Sequence, residues 1–233
     1  MRLKEIKQDL QKLKNPKKAK VLAGFFKTKK GEYGEGDRFL GVIVPNQRKV
    51  AQEYYKVLDL NDIKNLLSSK IHEYRFTALI VLLLKFKKAN AKEQKEIVDF
   101  YLDNAKSINN WDLVDVSAPN ILGKYFLNKD KKILYKLAKS KNLWEKRISI
   151  ISTFEFIRNK NFNDTLKISE ILLTDSRDLI HKAVGWMLRE VGNRDLKIEE
   201  EFLQKHYKKM PRVCLRYAIE KFDQEKKIYY LAR

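Results

Sequence analysis

The chain has a single cysteine, Cys214, among 233 residues. No internal disulfide can form, and a reducing cytoplasm is the expected location. Histidine is almost as scarce. His72, His181 and His206 are scattered, and none falls in a spaced Cys/His motif, so a metal centre has no ready-made ligand set. An iron–sulfur cluster would find no thiolates to hold it. No cofactor is therefore expected. Long apolar runs are missing as well. The longest, Ala78 to Leu84, stops at Lys85, far short of the roughly 20 residues a membrane span needs. The opening Met-Arg-Leu-Lys-Glu-Ile-Lys has no apolar core of a signal peptide.

Positive charge, by contrast, is abundant. Fifty Lys and Arg stand against thirty Asp and Glu, leaving +20 and an isoelectric point near 9.8. Such an excess points to a polyanionic partner, nucleic acid first and an anionic membrane surface second. A lysine-rich, AT-biased genome would also raise surface lysine, so charge alone does not identify the partner. Hydrophobic residues make up 44% of the chain, which is enough for a continuous core, and the length suits one domain over residues 1–233.

Helical periodicity dominates. Ala78, Leu79, Leu82, Leu83 and Phe86 recur at i, i+3, i+4, and Ile97, Val98, Tyr101, Leu102 and Ala105 repeat the pattern. Val184, Met187, Leu188 and Val191 do so again. No alternating run competes. Pro16, Pro45 and Pro211 each precede an amphipathic stretch, where a missing N–H costs nothing. Breaks every 12–18 residues predict about 12–14 helices. One distinctive segment, Lys30 to Gly41, holds four of the eight glycines. It lacks the Lys-Ser/Thr ending of a phosphate loop and follows no strand, so it is expected to be a flexible crossing between helices.

Five blocks align as internal repeats: His72-Glu-Tyr-Arg-Phe-Thr-Ala, Leu113-Val-Asp-Val-Ser-Ala, Trp144-Glu-Lys-Arg-Ile-Ser-Ile, His181-Lys-Ala-Val-Gly-Trp and Val213-Cys-Leu-Arg-Tyr-Ala-Ile. In this register Arg75, Asp115, Arg147, Lys182 and Arg216 share one column, separated by 40, 32, 35 and 34 residues. The period fits stacked helix pairs of the HEAT or armadillo kind. The predicted fold is an all-α, HEAT-like helical-repeat solenoid with a concave basic face. A column of cations on that face would track a phosphate backbone. Asp115 is its one acidic member.

Trp111 and Asp115 are spaced i, i+4, as are Lys182 and Trp186, with Arg189 three residues further on. An indole on a charged helix face either packs or meets a ligand. Trp144, three residues before Arg147, reads as core or as support for that arginine. Pro119 cannot donate to the carbonyl of Asp115, so the helix is expected to kink or break there, with Ser117 available to cap a new one. Cleavage of an N-glycosidic bond builds positive charge on the sugar. A carboxylate beside the sugar stabilises that charge and orients water. Indole faces favour a cationic or electron-poor group, and cations grip the phosphates. A lone carboxylate among cations stays ionised, which suits an electrostatic stabiliser better than a general acid.

At these residues the chain resembles the HEAT-like-repeat DNA alkylation repair family, the AlkD-type alkylpurine DNA glycosylases. The resembling blocks run from Phe25-Phe-Lys-Thr-Lys-Lys-Gly-Glu-Tyr-Gly-Glu-Gly-Asp-Arg-Phe-Leu-Gly-Val-Ile-Val-Pro through Asn110-Trp-Asp-Leu-Val-Asp and Leu143-Trp-Glu-Lys-Arg. They continue with Lys182-Ala-Val-Gly-Trp-Met-Leu-Arg-Glu and Met210-Pro-Arg-Val-Cys-Leu-Arg-Tyr-Ala-Ile-Glu-Lys-Phe, in the family's order. The resemblance implies metal-independent, monofunctional removal of cationic alkylated purines, of the 3-methyladenine and 7-methylguanine type, from duplex DNA. It implies cleavage without extruding the base, unlike most glycosylases. Asp115 matches the catalytic aspartate, and Trp111 and Trp186 match the indoles that hold the lesion sugar. Arg147 and Arg189 match DNA contacts, joined by Lys182, Arg75 and Arg216 of the basic column. Where some members carry a tyrosine and a polar pair near the opposite strand, this chain has Phe26 and Ile43-Val44.

The expected partner is double-stranded DNA bearing alkylated purines, with no membrane, and the expected state is a cytoplasmic monomer that is nucleoid-associated when bound. Two alternatives stand beside this: a non-catalytic DNA-binding repeat protein, which would not need Asp115 or the indoles, and a HEAT-type protein-interaction scaffold. Duplex binding that weakens steeply with salt, as counterion release requires, separates the scaffold from the other two.

Overall fold

The computed structural model describes residues 2–232, and their regular elements are helical apart from one isolated bridge between Arg38 and Ile71. Fourteen helices of seven residues or more stand among the described residues, the upper end of the expected range. The chain divides into two compact units, Met1–Ser117 and Ala118–Arg233.

The first unit holds α1 (Arg2–Lys12), α2 (Pro16–Phe25), α3 (Val44–Tyr54), α4 (Leu60–Leu67), α5 (His72–Lys88), α6 (Ala91–Asp103) and α7 (Trp111–Ser117). Their starts are written in the sequence. The Asn15 side chain accepts the Lys18 N–H, and Pro16 follows where its missing donor costs nothing. Asp59 with Asp62, and Asn90 with Glu93, form reciprocal caps on α4 and α6. On α5 every side chain from His72 to Leu83 is buried, and α3, α4 and α7 pack against it. A helix apolar over most of its surface belongs at the centre of a unit. Its first turns, however, bury His72, Glu73 and Arg75.

The second unit begins with a π-helical segment, Pro119–Gly123, that runs into a short helix, Lys124–Phe126. Then come α8 (Lys132–Ala138), α9 (Leu143–Ser152), extended past Thr153 by the turns of Phe154–Arg158, and α10 (Asn163–Leu172). The chain continues with α11 (Asp178–Gly192), α12 (Leu196–His206), α13 (Arg212–Ala218) and α14 (Gln224–Leu231). The apolar stripe of α11, Ile180, Ala183, Val184, Met187, Leu188 and Val191, is buried against α9, α10, α12 and α13. Gly185 permits the close approach to α13, since a Cβ there would stand 2.4 Å from the Cys214 carbonyl. Cys214 itself is buried and belongs to no disulfide among the described residues.

The repeat register appears directly in the helix boundaries. Asp115, Arg147, Lys182 and Arg216 are each the fifth residue of α7, α9, α11 and α13, and Arg75 is the fourth of α5. Column residues thus occupy the same turn of alternate helices. At Pro119 the backbone is irregular, as its missing N–H requires, but the irregularity is a π turn closed by the Gly123 N–H on the Ala118 carbonyl at 2.9 Å. Ser117 does not cap a new helix. Its Oγ donates to the Leu113 carbonyl at 2.5 Å and pairs with the Tyr101 hydroxyl at 2.8 Å. No described helix is long and apolar enough to cross a membrane. The described residues contain no group of three His, Cys, Asp or Glu arranged to hold a metal ion.

One buried acid stands apart. Glu199 on α12 is 1% exposed, and its Oε1 has no hydrogen-bond partner. Burial first, and the charge of Glu200 second, push its pKa up to about 9 against the opposing pull of Arg189. Between the ordinary carboxyl value and pH 9 the unfolded chain ionises here while the folded one does not. Stability contributed at this site therefore falls as pH rises through that range. Glu199→Gln should raise the melting temperature at pH 7–8, by about 1–3 kcal/mol in stability, with the gain shrinking towards pH 4.5. A gain that is equal at both ends of the range would contradict this account.

Candidate functional site

The glycine-rich segment between α2 and α3 is fixed in place rather than a flexible crossing. Gly41 has φ +83°, and a Cβ on it would lie 2.1 Å from the Asn15 carbonyl, so only glycine lets the loop close onto α2. The N–H groups of Leu40 and Gly41 donate to the two carboxylate oxygens of Glu73, at 2.9 and 2.7 Å. Arg38 bridges to the start of α5: its N–H donates to the Lys70 carbonyl, and its own carbonyl accepts the His72 N–H, both at 2.8 Å.

Beneath this backbone lies a chain of buried charges. Arg75 Nη2 donates to Asp37 at 2.6 Å, and its Nη1 donates to the Ser69 carbonyl at 2.8 Å. Asp37 also faces His72 Nδ1 at 3.4 Å and accepts from Asn110 Nδ2 at 3.3 Å. His72 Nε2 lies 2.8 Å from Asp112 on α7. A histidine flanked by two carboxylates donates from both nitrogens only as the imidazolium. Burial works against that charge, but the hydrogen bonds to Asp112 and Asp37 outweigh it, and the His72 pKa is raised. Burial likewise works against ionised Asp37, and the hydrogen bond from His72 with the charge of Arg75 turns the balance, so its pKa is lowered.

This network places Trp111 and Asp115. Asn110 Oδ1 accepts the Trp111 backbone N–H at 2.8 Å, which fixes the start of α7. The Trp111 indole N–H donates to the Tyr33 hydroxyl at 3.2 Å, and its ring stacks on Phe26 with centroids 5.2 Å apart. Phe25 meets it edge-on at 5.8 Å. Both Trp111 and Asp115 are half-buried, one helical turn apart. The charge of Asp115 reaches Tyr101, where burial first and Asp115 next push the phenol pKa up.

Two members of the predicted basic column differ from the expectation of a DNA-facing cation. Arg75 is 3% exposed and committed to the loop network, because Asp37 supplies a buried countercharge. Arg147 on α9 is 5% exposed, and its Nη1 donates to the Leu179 carbonyl at 2.8 Å. Lys182 on α11 is partly exposed and pairs with Asp178 at 2.7 Å, while Arg216 on α13 is exposed. Arg189 is paired with Glu220. Trp186 is half-buried; its indole N–H donates to Glu190 at 3.2 Å, and its ring lies 5.6 Å from Phe154, over which the Arg158 guanidinium sits at 4.1 Å. Trp144 is buried core. Phe26 is a buried wall stacked on Phe39 and Trp111, whereas Ile43 and Val44 are exposed.

Tyr33, Asp37, His72 and Asp112 did not stand out from the sequence. The usable signal was three ionisable residues, His72, Glu73 and Arg75, at the head of the helix that carries the longest apolar run. Such a cluster needs partners from elsewhere in the chain. The raised His72 pKa contributes stability that is fully present below the imidazole's ordinary 6.5 and is lost as pH climbs through the folded value. His72→Gln should therefore destabilise the protein by about 3–5 kcal/mol at pH 6, with the difference narrowing at alkaline pH. Melting temperatures of both proteins from pH 5 to 10 test this, and parallel curves would exclude a charged His72.

Comparison with known proteins agrees with this architecture. Residues 6–222 match the family model described as DNA alkylation repair enzyme. A protein from Enterococcus faecalis described as a predicted DNA alkylation repair enzyme shares the fold with a TM-score of 0.70 at 17% identity, over 91% of this chain and 97% of that one. AlkD2 from Streptococcus mutans aligns with a TM-score of 0.56 at 19% identity, over 88% of this chain and 97% of that one. No curated protein matches the chain in sequence. The α-helical repeats and a family match spanning nearly the whole sequence give one conclusion: the chain belongs to the DNA alkylation repair enzyme family.

Proposed function

We propose that the protein is a monofunctional DNA glycosylase that hydrolyses the N-glycosidic bond of cationic alkylated purines in duplex DNA. The observation that carries this reading is Asp115, the acidic member of a repeat register otherwise basic, set one turn from an indole held rigidly by Tyr33 and Phe26. In the reaction the C1′–N bond breaks and its electron pair leaves with the base. An alkylated purine already carries a positive charge, so the departing base becomes neutral without being protonated. The electron-poor sugar left behind is stabilised by the Asp115 carboxylate and by the face of Trp111. Water then adds at C1′ and gives up a proton, leaving an abasic site. The base need not leave the helix for this chemistry.

The same resemblance assigns Trp186 to the lesion sugar and Lys182, Arg189 and Arg216 to phosphates, whereas the buried Arg147 acts from within the fold through the Leu179 carbonyl. Arg75 acts by holding the loop. The enzyme works as a cytoplasmic monomer on duplex DNA, without a cofactor.

Release of 3-methyladenine and 7-methylguanine from methylated duplex DNA is the direct test. Asp115→Asn should lower the rate by roughly 100-fold or more while duplex affinity stays unchanged. Undiminished excision by this variant would end the assignment. Trp111→Ala or Trp186→Ala should slow excision in a protein that still folds. Unfolding of both, with no rate effect in any folded fraction, would make the indoles core residues only. Arg216→Ala should reduce the salt dependence of duplex binding by about one unit of slope.

A further inference from the structure

The second unit contains a cavity of about 260 Å³ between the last turn of α11, the first turns of α12 and the start of α14. Its most buried lining residue, Glu199, has no part in the reaction above. The carboxyl is built into the wall: a Cβ on Gly192 would collide with Glu199 Oε2, so the glycine makes its room. The Glu199 Oε1 is buried and has no hydrogen-bond partner. Four more charged residues line the cavity: Arg189, Lys221, Asp223 and Lys226. Asp223 is committed to α14, where its side chain accepts the Lys226 backbone N–H at 2.8 Å. Arg189 pairs with Glu220, and Lys226 pairs with Glu200 at 2.5 Å; neither glutamate is a lining residue. Both pairs reach solvent and are weak enough for a cation to turn to a better partner. The rest of the lining is uncharged.

These features select the occupant. The volume lies below the roughly 300 Å³ at which sites for larger small molecules begin, so the occupant is small. Three cations against the one Asp223 carboxylate disfavour a bound cation. Burial, with the charge of Glu200, keeps Glu199 uncharged at neutral pH. An uncharged acid donates its O–H, as a carboxylate cannot. A buried O–H without an acceptor is costly, and its bond to an ionised oxygen is among the strong ones. A tetrahedral oxyanion has enough oxygens to meet the acid and the surrounding cations together.

We propose that this cavity binds a phosphate or sulfate group, with the Glu199 acid donating to one oxygen and Arg189, Lys221 and Lys226 gathered around the others. Inorganic phosphate and the backbone of DNA carry this same chemistry. The site does not rest on the glycosylase reading.

Equilibrium dialysis of the full chain against radiolabelled sulfate, at constant ionic strength in chloride, tests the site. Sulfate keeps one protonation state from pH 7.5 to 9.5, so any pH dependence belongs to the protein. One saturable site is expected. Affinity should fall about fourfold over that range, as the acid form gives way through a pKa of about 9. Glu199→Gln keeps a donor and cannot ionise, so it should bind at pH 7.5 and lose the fourfold fall. Glu199→Leu should bind at least tenfold more weakly at pH 7.5, and Lys221→Ala, at an exposed position, about threefold more weakly. Absence of saturable binding overturns the proposal. So does an identical pH profile in Glu199→Gln. Sulfate binding that none of the three substitutions alters would be general attraction to a chain of charge +20, and it too overturns the site. If Glu199→Leu fails to fold, the other two variants still decide. Release of the sulfate by undamaged duplex DNA would assign the site to a backbone phosphate, and retention at saturating duplex would assign it to the free ion; either result upholds the site.

Discussion

Four paired side chains, three of them buried and Asp112 partly exposed, order the first unit. Arg75 and His72, whose pKa is raised by its carboxylate neighbours, face Asp37 and Asp112, and each pairs with at least one neighbour of the other kind. Taking such groups out of water costs several kcal/mol per ion, so a hydrophobic replacement of equal volume could match them in stability. What a hydrophobic replacement could not supply is register. Asp37 belongs to the loop, Arg75 and His72 to α5, and Asp112 to α7, so the charges meet only when the three segments take one arrangement. Asn110 extends the same constraint by bonding both Asp37 and the Trp111 backbone. The orientation of the indole is thus settled by electrostatics some residues away from it.

The periodic part of this architecture could be read before any coordinates. Apolar spacing predicted the helices, Pro16, Pro45 and Pro211 marked the starts of three of them, and a repeat of 32–40 residues placed five residues in the same turn of alternate helices. Depth could not be read in that way. Helical spacing gives a residue's angle around its own axis, not what packs opposite it. Arg216 and Arg147 hold equivalent positions, yet one is exposed and the other buried. Arg75 is buried because a countercharge arrives from Asp37, 38 residues earlier in a loop with no periodicity of its own.

The loop shows the same limit from the other direction. Four glycines in twelve residues read equally well as flexibility or as a tight path. The choice depends on neighbours that the local sequence does not name: the Asn15 carbonyl against Gly41 and the Glu73 carboxylate beneath two N–H groups. At Pro119 local chemistry was enough to predict an irregular backbone. It was not enough to choose between a cap and a π turn, because the buried hydroxyl of Tyr101 had already engaged Ser117.

The sequence also posed Trp111 as either packed or functional, and packing of the kind the structure shows is compatible with both. The indole stacks on Phe26, and its N–H is satisfied by Tyr33, so its position is set before any ligand arrives. In the proposed glycosylase reaction, a group that meets a short-lived sugar cation would gain from such fixing, since reorganisation during the reaction would forfeit part of the stabilisation. The same holds for Asp115. It lies on a seven-residue helix anchored at one end by Asp112 on His72 and at the other by Ser117 on Tyr101. The helix is too short to be rigid through its own hydrogen bonds. Its rigidity comes from buried polar partners at both ends, and the carboxylate is carried between them.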